Sequence, residues 1–260
     1  MNNILPIFKT QGSFHKSLLT SENEDEISSD YSISVISITK KYKLNKIIVI
    51  DDTFFSFLEL YKNCIKNNIQ LIFGINFCCC KDAKEKSEKS IKTENKISIL
   101  MNNSGSYKDL LRIHNLINTN QEYFYYKSRI DYSIIKSLWT ENLSLLIPPF
   151  DNFIHQNLLY DSICVPDFGK IKPTMTFANQ ELPYQEILNE NIKNYASNND
   201  FNLKEVHNVC YYRNKDIKSY CVKRAIEKRS NFSSPEIPYF CSDKFSFEEY
   251  CRKVNVEFIC

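Results

Sequence analysis

Short runs of β-branched and other apolar residues alternate along this chain with stretches of helical spacing, and that alternation leaves few folds open to it. KIIVI (Lys46 to Ile50) is compact and apolar, the look of a strand buried on both faces. It ends at Asp51, Asp52 and Thr53, residue types that suit the start of a helix. The spacing predicts that helix over FFSFLELYKNCIKNN, with Phe54, Leu58, Tyr61 and Ile65 facing the core. IQLIFGINF then returns as a strand, and strand, helix, strand in that order implies a right-handed parallel unit.

The pattern continues. Lys81 to Asn95 is rich in Lys, Glu and Ser and reads as a solvated loop. KISILM is the next strand, and Gly105 to Thr119 the next helix, with Tyr107, Leu110, Leu111 and Ile113 on its buried side. A helix over Tyr132 to Trp139 leads into the strand LSLLI, stopped by Pro148 and Pro149. Short strands follow near Ile163 to Val165 and Met175 to Phe177, then a helix Tyr184 to Ala196. A strand around Val206 to Tyr212 and a helix Asp216 to Lys228 come next. From about Phe232 the chain looks irregular, with a short helix from Phe245. Repeated alternation of this kind favours an α/β barrel or an open parallel sheet.

Composition excludes some functions. Lys and Arg number 33 against 31 Asp and Glu, a net charge of +2 that gives little general attraction for nucleic acid. Hydrophobic residues at 43% are ample for a large core. Only 4 glycines are present, while Asn, Ile, Lys, Ser and Tyr abound, the bias of an AT-rich coding genome such as a viral one. No apolar run approaches the ~20 residues of a membrane span, and MNNILPIFKTQGSF lacks the pattern of a signal peptide. A cytoplasmic protein is therefore expected. Its 10 cysteines would stay reduced. Cys78, Cys79 and Cys80 cannot all point to one side of a strand, and no two Cys-x-x-Cys pairs occur. Buried thiols are preferred here to a zinc site.

Four blocks in order resemble the PHP domain that opens bacterial and phage DNA polymerase III alpha subunits. FKTQGSFHKSLLT is similar to the first motif of that family, a strand bearing His-x-His followed by a Ser-rich turn. IIVIDDTFFSFLELYKNCIKNNIQLIFGINF is similar to its Asp-His strand end, the helix after it and the next strand. ISILMNNSGSYKDLLRI and VHNVCYYRNKDIKSYCVKRAI resemble two later blocks. The resemblance implies a distorted α/β barrel of largely parallel strands with outer helices over residues 1–230, and an irregular C-terminal extension over 231–260.

In the family, these strand ends gather His, Asp and Glu around divalent metals, which lower the pKa of a water and neutralise a phosphate for phosphoester cleavage. This sequence departs from that set. The first His-x-His falls on Lys9 and Gln11, and the Asp-His pair on Ile50 and Asp51, or on Asp51 and Asp52 one step on. The Glu falls on Asn76, the next His on Lys96, and the late Asp and His on Asn208 and Cys210. Lysines and neutral amides cannot rebuild a multimetal cage. If the blocks are homologous, Lys9, Gln11, Asp51, Asn76, Lys96, Asn208 and Cys210 should converge at one end of a barrel.

The expected protein is thus a stand-alone, catalytically inactive PHP-type protein, of phage origin, with no cofactor, acting in replication by contact with polymerase or associated factors. Its length leaves no room for a polymerase. The alternative is a phosphoesterase or 3'-5' exonuclease with a reduced Mg²⁺, Mn²⁺ or Zn²⁺ site on Asp51 and Asp52, although those two carboxylates could equally cap the following helix. Nucleic acid is a further candidate partner. It would meet Lys223, Arg224, Lys228 and Arg229 on the late basic helix, or Trp139 and the run Tyr123, Phe124, Tyr125, Tyr126 by stacking, for which packing is the simpler reading. His15 and His207 lie off the matched positions and read as surface or core residues. A contact surface is expected where Tyr239, Phe240, Phe245 and Phe247 crowd together.

Overall fold

The computed structural model describes residues 4–14, 16–22, 33–228 and 242–258, and the expected alternation of strands and helices is present in it. The chain runs β1 (Leu5–Phe8), α1 (Val35–Lys41), β2 (Lys46–Asp51), α2 (Phe57–Lys66), β3 (Gln70–Cys80), α3 (Glu88–Ile91), β4 (Asn95–Met101), α4 (Tyr107–Thr119) and β5 (Phe124–Tyr125). It continues with β6 (Lys127–Asp131), α5 (Tyr132–Leu138), β7 (Leu143–Ile147), α6 (Phe153–Leu159), β8 (Thr174–Phe177) and α7 (Gln185–Asn198). β9 (Asn202–Val209), α8 (Ile217–Lys228) and α9 (Phe247–Lys253) complete it.

Hydrogen-bonded neighbours follow the order β2-β1-β9-β8-β7-β4-β3-β6-β5, and β2 pairs additionally with β3. The strands from β2 round to β3 therefore close into an α/β barrel of seven strands ringed by helices. The direction is parallel for β1–β2, β1–β9, β7–β8 and β3–β6. β4 is antiparallel to both β3 and β7, and β5 is antiparallel to β6. A parallel return needs a crossover with an apolar face to lay on the sheet. Between β3 and β4 the chain offers a polar stretch with the single-turn α3, so β4 comes back antiparallel.

By its internal contacts the chain divides into two compact units. The first comprises Met1–Phe73, Ala178–Gln185 and Glu205–Cys260. Ile7, Phe8, Val49, Leu60, Phe73, Val206 and Val209 are buried in it. α2 is turned differently from the expected helix. Phe57, Leu60 and Cys64 are its buried residues, while Leu58 and Ile65 are each 59% exposed. The helix begins after Ser56 rather than at Phe54, and apolar residues on more than one side left two stripes to choose from.

The expected contact surface near the C-terminus is absent among the described residues. Phe245 and Phe247 are 2% and 1% exposed. Cys210 N–H donates to Phe245 O at 2.8 Å and Phe247 N–H to Tyr211 O at 2.9 Å, so this stretch lies along the chain that follows β9. The Phe247 ring then stacks 5.8 Å from Phe8 and meets Tyr42 edge-on at 4.8 Å. Tyr239 and Phe240 lie outside the described residues.

The second unit comprises Gly74–Phe177 and Glu186–Lys204. Ile75, Phe77, Ile97, Ile99, Ile130, Leu145, Ile147 and Met175 line its buried strands, and α4 buries Leu110, Ile113 and Ile117. Ile163 to Val165 is not a strand. Cys164 turns inward while Ile163 and Val165 are 62% and 76% exposed, an alternation that imitates one. Its backbone bonds run to Asn157 Oδ1 and Lys92 O instead of a ladder.

Lys81 to Asn95 is not a purely solvated loop either. Arg129, on β6, is fully buried beneath it. Its guanidinium donates to Ser90 Oγ at 2.8 Å, Ala83 O at 3.1 Å and Glu85 O at 2.6 Å, with Glu94 Oε1 at 3.7 Å. Asp131 adds a bond from Ala83 N–H at 3.1 Å. A buried guanidinium gives five fixed donors, and here they knit a polar stretch that has little apolar surface of its own. Removing it strands those carbonyls and Glu94. Arg129→Met is therefore expected to cost about 3 kcal/mol of stability, read by urea unfolding. A loss within the ±0.5 kcal/mol usual for surface substitutions would refute this role.

Candidate functional site

In the first unit, β1, β2 and β9 lie side by side and parallel, with Phe8 level with Val49 on one side and Val209 on the other. Of the positions singled out in the sequence, Lys9, Gln11, Asp51, Asn208 and Cys210 therefore lie at or just beyond the ends of these three adjacent strands, whereas Asn76 and Lys96 belong to the second unit. Lys9 N–H donates to Val209 O at 3.1 Å, which carries the register one residue past β1. Cys210 follows β9, Asp51 closes β2, and Gln11 lies in the turn after β1.

Asp51 organises this end. It is fully buried, and its two oxygens accept four hydrogen bonds. Oδ1 takes Thr10 N–H at 2.8 Å and the Ser13 hydroxyl at 2.9 Å. Oδ2 takes the hydroxyls of Thr10 and Ser56, both at 2.5 Å. Gly12 makes the close approach feasible, because a Cβ there would stand 2.6 Å from Asp51 Oδ2 and 2.7 Å from Ser56 Oγ. Burial pushes the Asp51 pKa up, against the pull of the bonds from Ser56, Thr10 and Ser13. Asp51 does not cap α2; Ser56 stands at that N-cap. Asp52 pairs with Lys16 at 2.6 Å.

The neighbours are also engaged. Gln11 Nε2 donates to Ser21 Oγ at 2.9 Å. The buried Gln180 brackets the Asn208 backbone, accepting its N–H at 3.2 Å and donating to its carbonyl at 3.1 Å. Cys210 is buried, and desolvation raises its thiol pKa, opposed by Lys9, the Tyr220 hydroxyl and Arg224. His207 is a core residue whose Nε2–H donates to Ser246 O at 3.0 Å. Burial, with Lys253 nearby, pushes its pKa down to about 3. His15 lies outside the described residues.

In the second unit, Asn76 faces Ser98 across the β3–β4 ladder and accepts its hydroxyl at 2.7 Å. Lys96 is level with Cys78. Its ammonium sits 2.6 Å from Asp151 Oδ2, and its N–H donates to Asp151 O at 2.7 Å. Asp151 adopts a left-handed backbone, φ 60°, and its N–H donates to Nδ1 of the buried His155 at 2.7 Å. Burial lowers the His155 pKa, with Asp151 opposing and Lys96 assisting. Sequence reasoning missed Asp151, and with it the neutralisation of the Lys96 charge.

The residues at the expected metal positions do not fit a divalent cation. A carboxylate offers about four lone-pair sites, and all of those on Asp51 are occupied by protein donors. Ammonium groups cannot ligate. Among the described residues, no group of three or more His, Cys, Asp or Glu could hold a metal ion. The basic helix also differs from a phosphate-binding face. Lys223 Nζ donates to Ser17 O at 2.7 Å, and Arg224 is 6% exposed. The Lys228 side chain and Arg229 are outside the described set.

Thr10, Gly12, Ser13 and Ser56 are the neighbours of Asp51 that the sequence reading left out. The density of small hydroxyl residues in Thr10 to Ser13, before a buried Asp, was the available signal. Compared with known families, residues 26–201, more than half of the chain, match the model described as PHP domain. No curated protein matches the sequence.

Two outcomes follow from this geometry. Asp51→Ala leaves four donors without their acceptor and is expected to cost about 3 kcal/mol or more, measured by urea unfolding; an unchanged midpoint would contradict the described network. His207 binds its proton less readily when folded than at its ordinary value of 6.5. The stability it contributes is thus present above 6.5 and lost as pH falls toward about 3. His207→Gln keeps a donor for Ser246 O and should flatten the acid side of a stability-against-pH curve. Parallel curves for the two proteins would exclude His207 as the source.

Proposed function

The chain belongs to the PHP domain family, and we propose that it is a catalytically silent member, related to the PHP domain of DNA polymerase III alpha subunits, that serves replication through contact with other replication proteins. The observation that carries this reading is the saturation of Asp51 by Thr10, Ser13 and Ser56. A metal-dependent phosphoesterase centre needs ligand lone pairs free to take up its metal, and those of Asp51 are turned into the fold. The ion pair of Lys96 with Asp151 supports it, because a fixed ammonium and its counter-ion take the place of a ligand that could bind a cation. A reducing cytoplasm, that of the host for a phage protein, suits the free thiols of the described cysteines.

The competing reading is a phosphoesterase or exonuclease with a reduced metal site. Purified protein is expected to carry no stoichiometric metal by mass spectrometry, and to release no nucleotide from DNA with Mg²⁺, Mn²⁺ or Zn²⁺. The three ions should leave its melting temperature unchanged. Metal-dependent nucleotide release that is abolished in folded Asp51→Asn or Asp52→Ala protein would overturn the silent reading and establish the competing one.

A further inference from the structure

One face of the second unit keeps its apolar side chains in water. Ile91, Leu158, Leu159, Tyr160, Ile163 and Val165 are each between 41% and 76% exposed. Single exposed apolar residues are ordinary on a protein surface, whereas a contiguous group is not. Here the backbone brings the six together. α6 ends at Leu159, and the chain then doubles back, so that Cys164 N–H donates to Asn157 Oδ1 and Asn157 Nδ2 donates to Cys164 O, both at 2.8 Å. That sets Ile163 and Val165, which flank the buried Cys164, beside the end of the helix. Ile163 N–H donates to Lys92 O at 3.0 Å, which brings in Ile91. These stretches are fixed by hydrogen bonds before any partner arrives, so docking on them costs little ordering.

The margin of this face carries charges of opposite sign. Lys92 follows Ile91 and Asp161 follows Tyr160, and both are exposed. Among the described residues, neither takes part in a salt bridge. Both adjoin Ile163, Lys92 through its carbonyl and Asp161 along the chain. The six apolar side chains together expose on the order of 600 Å², the upper end of the largest patch on a typical monomer. With a polar rim, that approaches the ~800 Å² that each partner contributes to a stable interface. The net charge of the chain is only +2, so two copies would repel each other little.

We propose that this face holds a second copy of the chain across a two-fold axis near Ile163, with Lys92 beside Asp161 of the partner subunit. A two-fold interface uses the same patch on both copies, so the patch must be complementary to itself. An apolar centre with one charge of each sign at its margin meets that condition, because the axis carries each lysine to the opposite aspartate. A surface that met nucleic acid would be lined by cations without carboxylates among them. The proposal goes beyond the silent-domain reading and fails separately from it, because metal content and nuclease activity are read whatever the number of associated copies.

The test is sedimentation velocity of the full chain at concentrations up to about 100 μM, which should show a species of twice the 30.6 kDa chain mass. Ile163→Asp should leave only monomer with an unchanged far-ultraviolet circular dichroism spectrum, since that side chain is exposed in the single chain. Lys92→Glu and Asp161→Lys should each weaken the dimer at least about tenfold, because either one sets like charges against each other twice across the axis. Mixing these two variants should restore association, since their heterodimer has an attractive pair at both positions. A wild type that stays monomeric leaves the face to a different protein and overturns the proposal. A dimer that survives Ile163→Asp, or mixed variants that do not associate, would overturn it as well.

Discussion

One carboxylate holds the strand ends of the first unit together. Asp51 is out of contact with water, and a bare buried charge would be prohibitively costly. Four donors from three residues, Thr10, Ser13 and Ser56, offset that cost, and their convergence fixes the path of the chain after β1. The same bonds determine what the site can do. Lone pairs committed to Thr10, Ser13 and Ser56 are not available to a cation, so stability here and metal chemistry compete for the same atoms.

The second unit solves a related problem with cations. Arg129 carries the polar chain between β3 and β4, and Lys96 clamps Asp151 through both its backbone and its ammonium. Both residues sit on or beside β3 in register with Cys78, Lys96 on one side and Arg129 on the other. Lysine and arginine in such places bring charge that is covalently part of the chain and cannot be exchanged for a dissolved ion.

Much of the fold was legible because apolar periodicity is a local signal. KIIVI, IQLIFGINF, KISILM and LSLLI each became the expected strand. The rotation of α2 was not legible, since Phe54, Leu58 and Ile65 form as good a stripe as Phe57, Leu60 and Cys64 until the neighbouring strands choose between them. The antiparallel course of β4 depends on what its connection lacks, and local patterning does not report that. At the strand ends, the buried contacts of the singled-out residues were not legible. Asp51 stood out at the end of its strand, but Thr10 and Asp151 are separated from the groups they hold by 41 and 55 residues. Phe245 and Phe247 were misjudged for the same reason, because Phe8 and Tyr42, which cover Phe247, lie far back in the chain.

The reversed β4 changes which alterations this chain can absorb. Lys96 stands opposite Cys78 because of the ladder between β3 and β4, not because of the count of residues joining them. Changes in that connection that spare the Arg129 contacts and the Lys92 carbonyl can accordingly leave Lys96 in its place. One residue added inside β3 after Asn76 has the opposite result. It turns Cys78 and all that follows it to the other face of the sheet. The part of this region that tolerates a change of length and the part that does not are thus neighbours in sequence, divided by where the β3–β4 ladder begins.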